Sequence, residues 1–454
     1  MRILLTVHQF VPDFQAGTEI LTYSAAKALQ ARGHEVRVFT GFPARAGTAA
    51  GPRFDRYVHD GIPVERFHHA NAMTGDETNA IALEYNNPVF TAYFRDYLKA
   101  NRPEVVHFFH LQRLSASAID VCQELGLPMV LTSTDFWLIC PTNQLLLPDH
   151  TLCPGPDPDA VNCLRHFVAL TQPAPSRALV SMLPDRLVAA LMRLTDSNVL
   201  PHWKKSASIR ALRARRGYIG CRMNKVDRVT VQTRLMADIL GRNGLSASIM
   251  TYLPFGTNID GLSRKEVETP TYGLRVGFIG TLYEHKGAHL LVKAVRQLPA
   301  APPVEVRIYG NSDDYPDYAA TLRRLAECDP RIEFCGTFPN SRIGDIISAM
   351  DVLVVPSIWY ENTPLVIYSA QACGCPVIAS NLGGMSEAVE HEVNGLLFEA
   401  GNVAQLAQTI GRLARDNALL RRLADGAKRP KSILAYAIEL ENLYGEILEE
   451  RREI

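Results

Sequence analysis

The sequence predicts an α/β protein made of two Rossmann-like, doubly wound domains. Three observations lead to this fold class. The length of 454 residues suits two domains of about 200 residues each. Short β-branched runs alternate with helical patterns in both halves of the chain. The composition, 47% hydrophobic and 21% charged, is typical of globular domains.

The N-terminal half begins with the run RILLTV, which we predict to be a buried strand. A helix follows over TEILTYSAAKALQARG and ends near Gly33, because glycine takes up the left-handed conformation at low cost. HEVRVFT, PEVVHFF and PMVLTST are predicted strands, and SASAIDVCQELG is a predicted helix. The segment 140–228 fits this alternation poorly, so we interpret it as an insertion.

The C-terminal half repeats the alternation after a boundary rich in Gly, Pro and Ser near 255–272. We predict an N-terminal domain over 1–260, a second domain over 272–428, and a helix over 429–454 that crosses back to the first domain. The predicted strands are LRVGFIG, VEVRIYG, RIEFCG, DVLVVPS and CPVIAS, and the predicted helices are HLLVKAVRQL, YAATLRRLAE, IGDIISAM and LVIYSAQACG.

The opening apolar run is too short for a signal peptide, and no apolar stretch approaches the roughly 20 residues that span a bilayer. We therefore expect a cytoplasmic protein, with a peripheral position on the inner membrane face as an alternative. In that compartment the nine cysteines are expected to be reduced. Lys plus Arg and Asp plus Glu number 47 each, so net charge indicates no partner class.

The stretch VGFIGTLYEHKG combines a strand, a glycine turn and the start of a helix. Gly280 lets the backbone approach a ligand, and Lys286 adds a positive charge, which together suit phosphate. The pattern is neither the dinucleotide fingerprint nor a P-loop. The alternative interpretation is an ordinary strand–helix turn with a solvated lysine.

The following segments resemble the donor-binding domain of family 4 glycosyltransferases of the GT-B fold: PS-x-x-x-E-N-x-P-L, A-x-x-C-G-C-P-V-I-A-S, GG-x-x-E-x-V and NGLLF, in matching order over about 274–400. In the N-terminal half, PDFQAGTE and GHEVRVFT resemble the family's opening loop. The resemblance implies that the two domains face each other across a cleft, with an acceptor-side domain over 1–260 and a nucleotide-sugar-binding domain over 272–428. It also implies transfer with retained anomeric configuration.

Donor binding requires cations and oriented N–H groups, because a departing nucleoside diphosphate carries at least two negative charges. Lys286 can hold the diphosphate. The backbone amides of Thr363 and Leu365, at a helix start, can face its oxygens, whereas Pro364 lacks an N–H. By resemblance, Glu361 accepts hydrogen bonds from the donor sugar, and the neighbouring Asn362 belongs to the same donor site. The alternative for Glu361 is a capping acid worth about 0.5–1 kcal/mol.

Two positions depart from the family pattern. Thr281 stands where relatives carry an Arg or a similar side chain, and Ser369 stands where they carry a second carboxylate that clamps the ribose. Loss of one such contact typically costs about 1–3 kcal/mol. These replacements keep open the alternative of a weakly active or non-catalytic scaffold subunit.

The N-terminal domain supplies the acceptor side in this interpretation. The amide of Gly17 lies between the first strand and the first helix, where it can meet a phosphate or the acceptor. His107 and His110 end a predicted strand, and relatives contact the transferred sugar with a His there; the sequence leaves the choice between the two open. Asp135, in TSTDFW, is assigned to the acceptor side, with a helix N-cap as the alternative. Thr134 replaces the family's His.

Cys140, Cys153, Cys163 and His166 form C-x12-C-x9-C-x2-H inside the insertion. Cys3His is an established structural zinc set, and a loop-rich segment gains stability from such a metal. We predict structural zinc here, with reduced and packed thiols as the alternative.

A basic segment over 204–228 follows the amphipathic run LPDRLVAALMRLTD. This pairing suits anionic lipid headgroups and predicts peripheral membrane contact, with a solvated helix as the alternative. Nucleic acid is excluded as a partner, because neither a recognition motif nor interleaved aromatic residues accompany the charge.

Together these observations predict transfer of a hexosyl residue from a UDP- or GDP-sugar to a glycan or lipid-linked acceptor in cell-surface polysaccharide or glycoconjugate synthesis. Lys286 and helix dipoles are expected to replace a metal in the chemistry, so no cofactor is required apart from the predicted structural zinc. A nucleotide-sugar epimerase of the same fold is the alternative enzyme, and it would act on the donor alone.

Overall fold

A computed structural model defines the fold over residues 1–44, 53–69, 80–197, 206–259, 261–264, 273–327 and 329–453. The chain divides into two compact units. The first unit comprises residues 1–232, 236–254 and 434–454, and the second comprises residues 233–235 and 255–433.

The first unit is built on an eight-stranded sheet in the order β3-β4-β2-β1-β5-β6-β7-β8. All neighbouring strands are parallel except β3 and β4, which form an antiparallel pair at one edge. The central strand β1 is buried along nearly its whole length, as its β-branched and leucine-rich sequence predicts. The strands are β1 (Arg2–Val7), β2 (Glu35–Pro43), β3 (Phe54–His59), β4 (Ile62–His69), β5 (Val105–Phe108), β6 (Met129–Thr132), β7 (Arg228–Val231) and β8 (Met250–Tyr252).

Helices connect these parallel strands, and their ends follow from local sequence. The first helix is followed by Gly33 at a φ of 87°, the left-handed position predicted for it. The third helix starts after Asn87, whose side chain accepts hydrogen bonds from the amides of Val89 and Phe90. The helices are α1 (Gly17–Ala31), α2 (Ala80–Tyr85), α3 (Pro88–Asn101), α4 (Ala118–Glu124), α5 (Val161–Thr171), α6 (Ala174–Met182), α7 (Asp185–Asp196), α8 (Ser206–Met223) and α9 (Arg234–Arg242).

The predicted insertion separates β6 from β7, two strands that are nonetheless hydrogen-bonded neighbours. It contains the loop 133–160 and the helices α5, α6, α7 and α8. The insertion therefore adds helices and a long loop to the unit without interrupting the order of its sheet.

The second unit is built on a six-stranded, all-parallel sheet in the order β11-β10-β9-β12-β13-β14. The two faces of this sheet are both buried: Val352 and Val354 of β12 belong to one apolar core, and Leu353 and Val355 belong to the other. The strands are β9 (Leu274–Ile279), β10 (Val304–Tyr309), β11 (Ile332–Gly336), β12 (Val352–Val355), β13 (Val377–Ser380) and β14 (Gly395–Phe398).

The helices of the second unit lie between its strands or after the last one. They are α10 (Ala288–Arg296), α11 (Pro316–Ala326), α12 (Ile343–Ser348), α13 (Leu365–Ala372), α14 (Gly384–Ala388), α15 (Val403–Arg415) and α16 (Asn417–Asp425). The last helix, α17 (Ile433–Glu453), returns to the first unit from residue 434 onward, where Tyr436 and Tyr444 are fully buried.

The predicted fold class, two parallel-sheet α/β units, is confirmed by this architecture. The unit boundaries differ slightly from the predicted ones: the first unit gives way to the second at residue 255 rather than 260, and the chain returns at 434 rather than 429. Part of the predicted linker, residues 265–272, lies outside the described residues.

Candidate active site

Each sheet contains one point where the strand order reverses direction, and such points create a crevice beyond the carboxyl ends of the strands. In the second unit this point lies between β9 and β12, which pair directly through Val352 with Val276 and Leu353 with Gly277. Lys286 follows β9 and Glu361 follows β12. The two residues that the sequence analysis assigns to the donor site therefore lie in loops that begin at the same crevice.

The Lys286 ammonium and the Glu361 carboxylate form an ion pair, with Nζ 2.6 Å from Oε1. The same oxygen accepts hydrogen bonds from the Ser357 hydroxyl at 2.8 Å and from the Trp359 indole N–H at 2.9 Å. The Lys286 ammonium also lies over the Trp359 ring, 5.1 Å from its centroid. One carboxylate oxygen thus collects three donors, which holds the Glu361 side chain in a single orientation.

Burial and charge act on Glu361 in opposite directions. Burial, the larger single effect, raises the pKa of the carboxyl, but the Lys286 charge and the hydrogen bonds from Lys286, Ser357 and Trp359 together lower the pKa below its usual value. Glu361 is therefore a carboxylate at neutral pH although it is only 7% exposed.

Two glycines allow these loops to meet. Gly287 has a φ of 75°, and a Cβ there would lie 1.9 Å from the carbonyl oxygen of Pro356, so the lysine loop packs directly on the end of β12. Gly384 is equally constrained, because a Cβ there would lie 1.6 Å from the carbonyl oxygen of Asn362. Its own amide donates to the carbonyl of Glu361 at 2.8 Å.

The predicted anion site lies at the start of α13. The helix begins at Leu365, with Pro364 as the N-cap residue and no side chain capping the first turn. The amides at the start of a helix have no partner within it, so those of Thr363 and Leu365 are suited to phosphate oxygens. The Thr363 hydroxyl is buried and has no hydrogen-bond partner among the described residues.

The remaining predicted donor residues play more local roles in this structure. The amide of Gly280 donates to the carbonyl of Tyr309 at 3.1 Å, so Gly280 extends the sheet by one hydrogen bond. Thr281 is exposed at the turn that follows. The Ser369 hydroxyl donates to the carbonyl of Leu365 at 3.3 Å within α13, which leaves its oxygen lone pairs for other donors.

Several residues that position this site were missed by sequence reasoning. Ser357, Trp359 and Gly384 hold Glu361, although all three lie inside the segments that carried the family resemblance. The Glu387 carboxylate accepts hydrogen bonds from the amides of Arg234 and Leu235, at 2.8 and 2.9 Å. Its place in GG-x-x-E-x-V was a usable signal, because this segment was one of those that carried the family resemblance.

In the first unit, the structure separates the two candidate histidines. His107 lies within β5 and is fully buried; its Nδ1 is 2.5 Å from the Tyr444 hydroxyl and its Nε2 is 2.7 Å from the Thr132 hydroxyl. Burial lowers the pKa of His107 to about 3, so the ring is neutral. His107 is therefore a core residue that joins α17 to the sheet, which corrects its assignment as a site residue.

His110 lies beyond the end of β5, at the point where the order of the first sheet reverses between β1 and β5. Its Nε2 is 3.0 Å from an oxygen of Asp135, and its ring lies 4.4 Å from the ring of His8, which follows β1. Asp135 also accepts a hydrogen bond from the amide of Trp137 at 2.8 Å. Asp135 thus contacts His110 with one oxygen and caps a turn with the other, and its acceptor-side role stays a prediction.

A group of buried charges surrounds this pair and was not predicted. Glu19, in the first turn of α1, is 2% exposed and lies 3.4 Å from His8. Burial raises the pKa of Glu19 and lowers that of the Arg113 guanidinium. Arg113 has a φ of 65°, an uncommon conformation for a residue with a side chain. Glu19 Oε2, His8 Nδ1 and Arg113 Nη1 are buried without hydrogen-bond partners among the described residues.

Gly17 is the first residue of α1 and is exposed, next to this group of charges. Its predecessor Ala16 is the N-cap and supplies no side-chain hydrogen bond to the helix. The N-cap side chain thus does not cap this first turn, and the contact of the Gly17 amide with a ligand stays a prediction.

The four residues predicted to bind zinc line one small cavity in the insertion. Burial, together with the neighbouring thiols of Cys140 and Cys153, raises the pKa of Cys163 to about 12. Burial also lowers the pKa of His166. Within the described ranges, however, no three metal-binding side chains stand in position to hold an ion, and none of the eight cysteines there forms a disulfide. Zinc at this place stays a prediction.

The basic segment 204–228 does not present its charges as a free surface, which corrects the predicted location of a membrane contact. Lys204 and Lys205 lie outside the described residues. Most of the described cations in the segment are instead satisfied by neighbouring acids. The pairs are Arg213 with Asp159 and Asp196, Arg215 with Glu84, Arg222 and Lys225 with Asp120, and Arg228 with Glu450.

Arg215 is an example of a cation in this segment that cannot contact lipid headgroups. It is 2% exposed, and its guanidinium donates to the carbonyl oxygens of Trp137 and Ile139. In the part of the chain that the structure describes, no helix is both long and apolar enough to cross a bilayer.

Comparison with known proteins adds family information to this geometry. Residues 16–256 match the family described as "Glycosyl transferase 4-like domain", and residues 273–416 match "Glycosyl transferases group 1". The first match alone spans more than half of the 454 residues. Among curated proteins, D-inositol 3-phosphate glycosyltransferase of Corynebacterium efficiens is 32% identical over 209 residues, which cover 44% of this chain and 49% of that protein. This chain is thus matched to about half the length of that relative.

Solved structures show the same fold. Sucrose-phosphate synthase from Thermosynechococcus elongatus has a TM-score of 0.66 at 19% identity, with 99% of each chain covered. HepE of Anabaena, solved in complex with UDP, has a TM-score of 0.64 at 17% identity, with 98% of this chain and 100% of that chain covered. These likenesses concern the fold alone.

Proposed function

We propose that this chain, which belongs to the glycosyl transferase 4-like family and carries a group 1 glycosyltransferase domain, transfers a hexosyl residue from a UDP- or GDP-sugar to a glycan or lipid-linked acceptor with retained anomeric configuration. The single observation that carries this proposal is the juxtaposition, at the reversal point of the second sheet, of Lys286, Glu361 and the start of α13.

Each of these three elements has a distinct task in the proposal. The Lys286 ammonium neutralises the diphosphate, and the first-turn amides of α13 donate to its oxygens. Glu361, held as a carboxylate, accepts hydrogen bonds from hydroxyl groups of the donor sugar. The lysine is ion-paired before the donor arrives, so nucleotide binding exchanges part of that pair for a bond to phosphate.

The chemical step in the proposal is a substitution at the anomeric carbon. The bond from this carbon to the diphosphate oxygen breaks, and a bond to the acceptor hydroxyl oxygen forms on the same face. The hydroxyl proton passes to the departing phosphate oxygen, whose developing charge is stabilised by Lys286 and by the amides of Thr363 and Leu365. A glycosidase-type pair of carboxylates is not part of the proposal, because the sequence assigns no carboxylate other than Glu361 to the donor site.

The acceptor is proposed to bind the first unit at the group around His110. Glu19, His8 and Arg113 each keep a buried polar atom without a partner among the described residues, and such atoms cost free energy unless a ligand satisfies them. The pKa of His8 lies well below its usual value because of burial and of the nearby His110 and Arg113 charges, so its ring is a neutral hydrogen-bonding group. Hydroxyl groups of a sugar acceptor match this mixture of donors and acceptors.

UDP is the first nucleotide to test, because HepE is solved with UDP and also with UDP-glucose. Purified protein would be screened with UDP- and GDP-sugars, and nucleotide release would be measured with and without candidate acceptors. Release that depends on an acceptor supports transfer. Conversion of the donor without an acceptor would instead identify an epimerase, and absence of binding to UDP and GDP in calorimetry would identify a scaffold subunit.

The site assignment is tested separately from the activity. Glu361→Ala should abolish turnover, whereas Glu305→Ala, at an exposed position of β10, should not change it. Unchanged turnover in Glu361→Ala would reject the assigned site.

A further inference from the structure

The helices of the insertion keep several large apolar side chains exposed in the described part of the chain. Six large side chains on its helices are between 42% and 82% exposed. We name this surface the insertion face, and its residues are Leu170, Leu179, Met182, Leu187, Leu191 and Leu194.

The insertion face is organised by helix geometry. In α7, Leu187, Leu191 and Leu194 recur at intervals of four and three residues, so they lie along one side of the helix. In α6, Leu179 and Met182 are three residues apart, and that helix has no buried residue at all. Two consecutive helices therefore expose apolar stripes of the same kind.

The exposed apolar stripe on α7 is separate from the buried side of the helix, which packs against the rest of the first unit. Val188 and Met192 are buried in a small core with Val161 of α5. A surface helix needs only one apolar stripe to pack against its domain, and a second stripe indicates a second apolar environment. The insertion face is thus more than the ordinary scatter of exposed leucines.

The unpaired charges near the insertion face indicate which kind of partner it binds. The two acids of α7 are neutralised, Asp185 by Arg165 at 2.6 Å and Asp196 by Arg213 at 2.5 Å. Arg177 of α6 and Arg186 of α7 have no ion-pair partner within the described ranges. The free charge next to the apolar stripes is therefore positive.

We infer that the insertion face docks onto the surface of an anionic lipid bilayer, with the leucines and Met182 in the outer apolar layer and Arg177 and Arg186 at the headgroup phosphates. Apolar side chains beside unpaired cations on a helix are the composition that binds such interfaces. This inference goes beyond the proposed transfer reaction and does not depend on it.

A groove lies beside α6, next to the insertion face in the chain. It has a volume of about 500 Å³ and lies between α5, α6 and the loop at Leu147–Asp149. Arg177 and Ala178 line the groove and also belong to the exposed side of α6. The groove has the size that ligand pockets have, and Arg177 lies both at the groove and on the exposed side of α6.

A second copy of the chain is a less suitable occupant. In a two-fold symmetric dimer the same patch meets itself, so Arg177 and Arg186 would approach the same arginines of the other copy with no free acid on α6 or α7 to offset them. An anionic surface is complementary to these charges, whereas a copy of the same face is not.

The test uses the full chain and co-sedimentation with vesicles of phosphatidylcholine alone or mixed with phosphatidylglycerol. The wild type should bind only the mixed vesicles. The variant Leu187→Gln/Leu191→Gln should lose at least about tenfold in binding, because it removes two of the three exposed leucines of α7. Leu434→Gln, which changes an equally exposed leucine on α17 outside the insertion face, should bind like the wild type.

The role of charge and the integrity of the fold are checked in the same series. Arg177→Gln/Arg186→Gln should reduce binding to the mixed vesicles and make it less sensitive to salt. Circular dichroism and UDP calorimetry should be unchanged in all variants, so that loss of vesicle binding is distinguished from loss of structure or of the donor site.

Three results would overturn the inference. They are absence of wild-type binding to the mixed vesicles, equal binding by Leu187→Gln/Leu191→Gln and the wild type, and light scattering that reveals a dimer which this double variant converts to monomers.

Discussion

The Lys286–Glu361 pair leads to opposite expectations for two substitutions that each remove one partner. Lys286→Met removes the cation that the proposal assigns to the diphosphate. Glu361→Gln removes the anion that holds this cation before the nucleotide arrives, and it keeps the shape of the side chain. If the lysine is shared between the carboxylate and phosphate, the first change weakens UDP binding and the second does not.

The structure sets the scale of both effects. At the observed 2.6 Å, two unit charges attract by about 6 kcal/mol in an effective dielectric constant of about 20. Desolvation of the buried carboxylate offsets much of this attraction, and the Lys286 side chain is still 26% exposed. We therefore expect Lys286→Met to lower the free energy of unfolding by about 2–3 kcal/mol, because it leaves a buried carboxylate without its cation.

Nucleotide binding should separate the two variants. A hydrogen bond to a charged group contributes about 1.5–3 kcal/mol, so Lys286→Met should weaken UDP binding by roughly tenfold to a hundredfold. Glu361→Gln should bind UDP as tightly as the wild type or more tightly, because Lys286 no longer has to leave a carboxylate. Both variants should lose transfer activity, since the proposal assigns the donor sugar to Glu361.

Calorimetry with UDP and GDP and urea denaturation measure these quantities. The double variant Lys286→Met/Glu361→Gln should be more stable than Lys286→Met alone, because it contains no buried unpaired charge. If Glu361→Gln weakened UDP binding as much as Lys286→Met, Glu361 would act by shaping the loop, and sharing of the lysine would be refuted. Strict additivity of the two stability changes would refute the coupling itself.

Three further outcomes are expected. Gly384→Ala should lower the free energy of unfolding by more than about 2 kcal/mol, because the new Cβ would collide with the backbone of Asn362. The control Gly445→Ala in α17, where no atom lies within 4 Å of the new Cβ, should raise the free energy of unfolding slightly. Equal effects of the two substitutions in urea denaturation would contradict the packing argument. We propose structural zinc in the insertion, so elemental analysis should find about one zinc per chain and less in Cys163→Ser; metal-free wild-type protein would exclude it. Burial lowers the pKa of His107 to about 3, so below about pH 6.5 the unfolded chain binds a proton at this residue and the folded chain does not. The free energy of unfolding therefore falls as the pH decreases from 6.5 towards 3. His107→Gln should reduce this slope of the unfolding free energy against pH, and an unchanged slope would contradict the assignment of His107 to the core.

The sequence alone determined the elements of both sheets where they follow local rules. Strands buried on both faces require continuous apolar runs, so RILLTV and DVLVVPS were recognisable without any neighbour. The helix end at Gly33 followed from the freedom of glycine at positive φ. Lys286 was predicted from its place in a strand-to-helix loop with a glycine turn, whereas Glu361 was predicted from the family resemblance of the segment around it.

Only the tertiary structure decided which of these residues meet. Lys286 and Glu361 are 75 residues apart, and they form a pair because β9 and β12 are neighbours although they are not consecutive in the chain. The tertiary structure also decided between His107 and His110 as the site residue. Both lie near the end of one strand, but the burial of the first depends on α17, which returns from the other end of the sequence.

The insertion shows the limit of composition most clearly. Its basic segment over 204–228 has the charge of a membrane-binding region, yet its arginines are largely paired with acids from distant parts of the chain. The apolar stripes that remain exposed lie upstream, on α6 and α7. Periodicity in the sequence determines that a helix has an apolar side, because side-chain spacing along a helix is local. Whether that side faces a core, a partner or solvent is decided only when the rest of the chain has packed around it, because burial is a property of the whole fold.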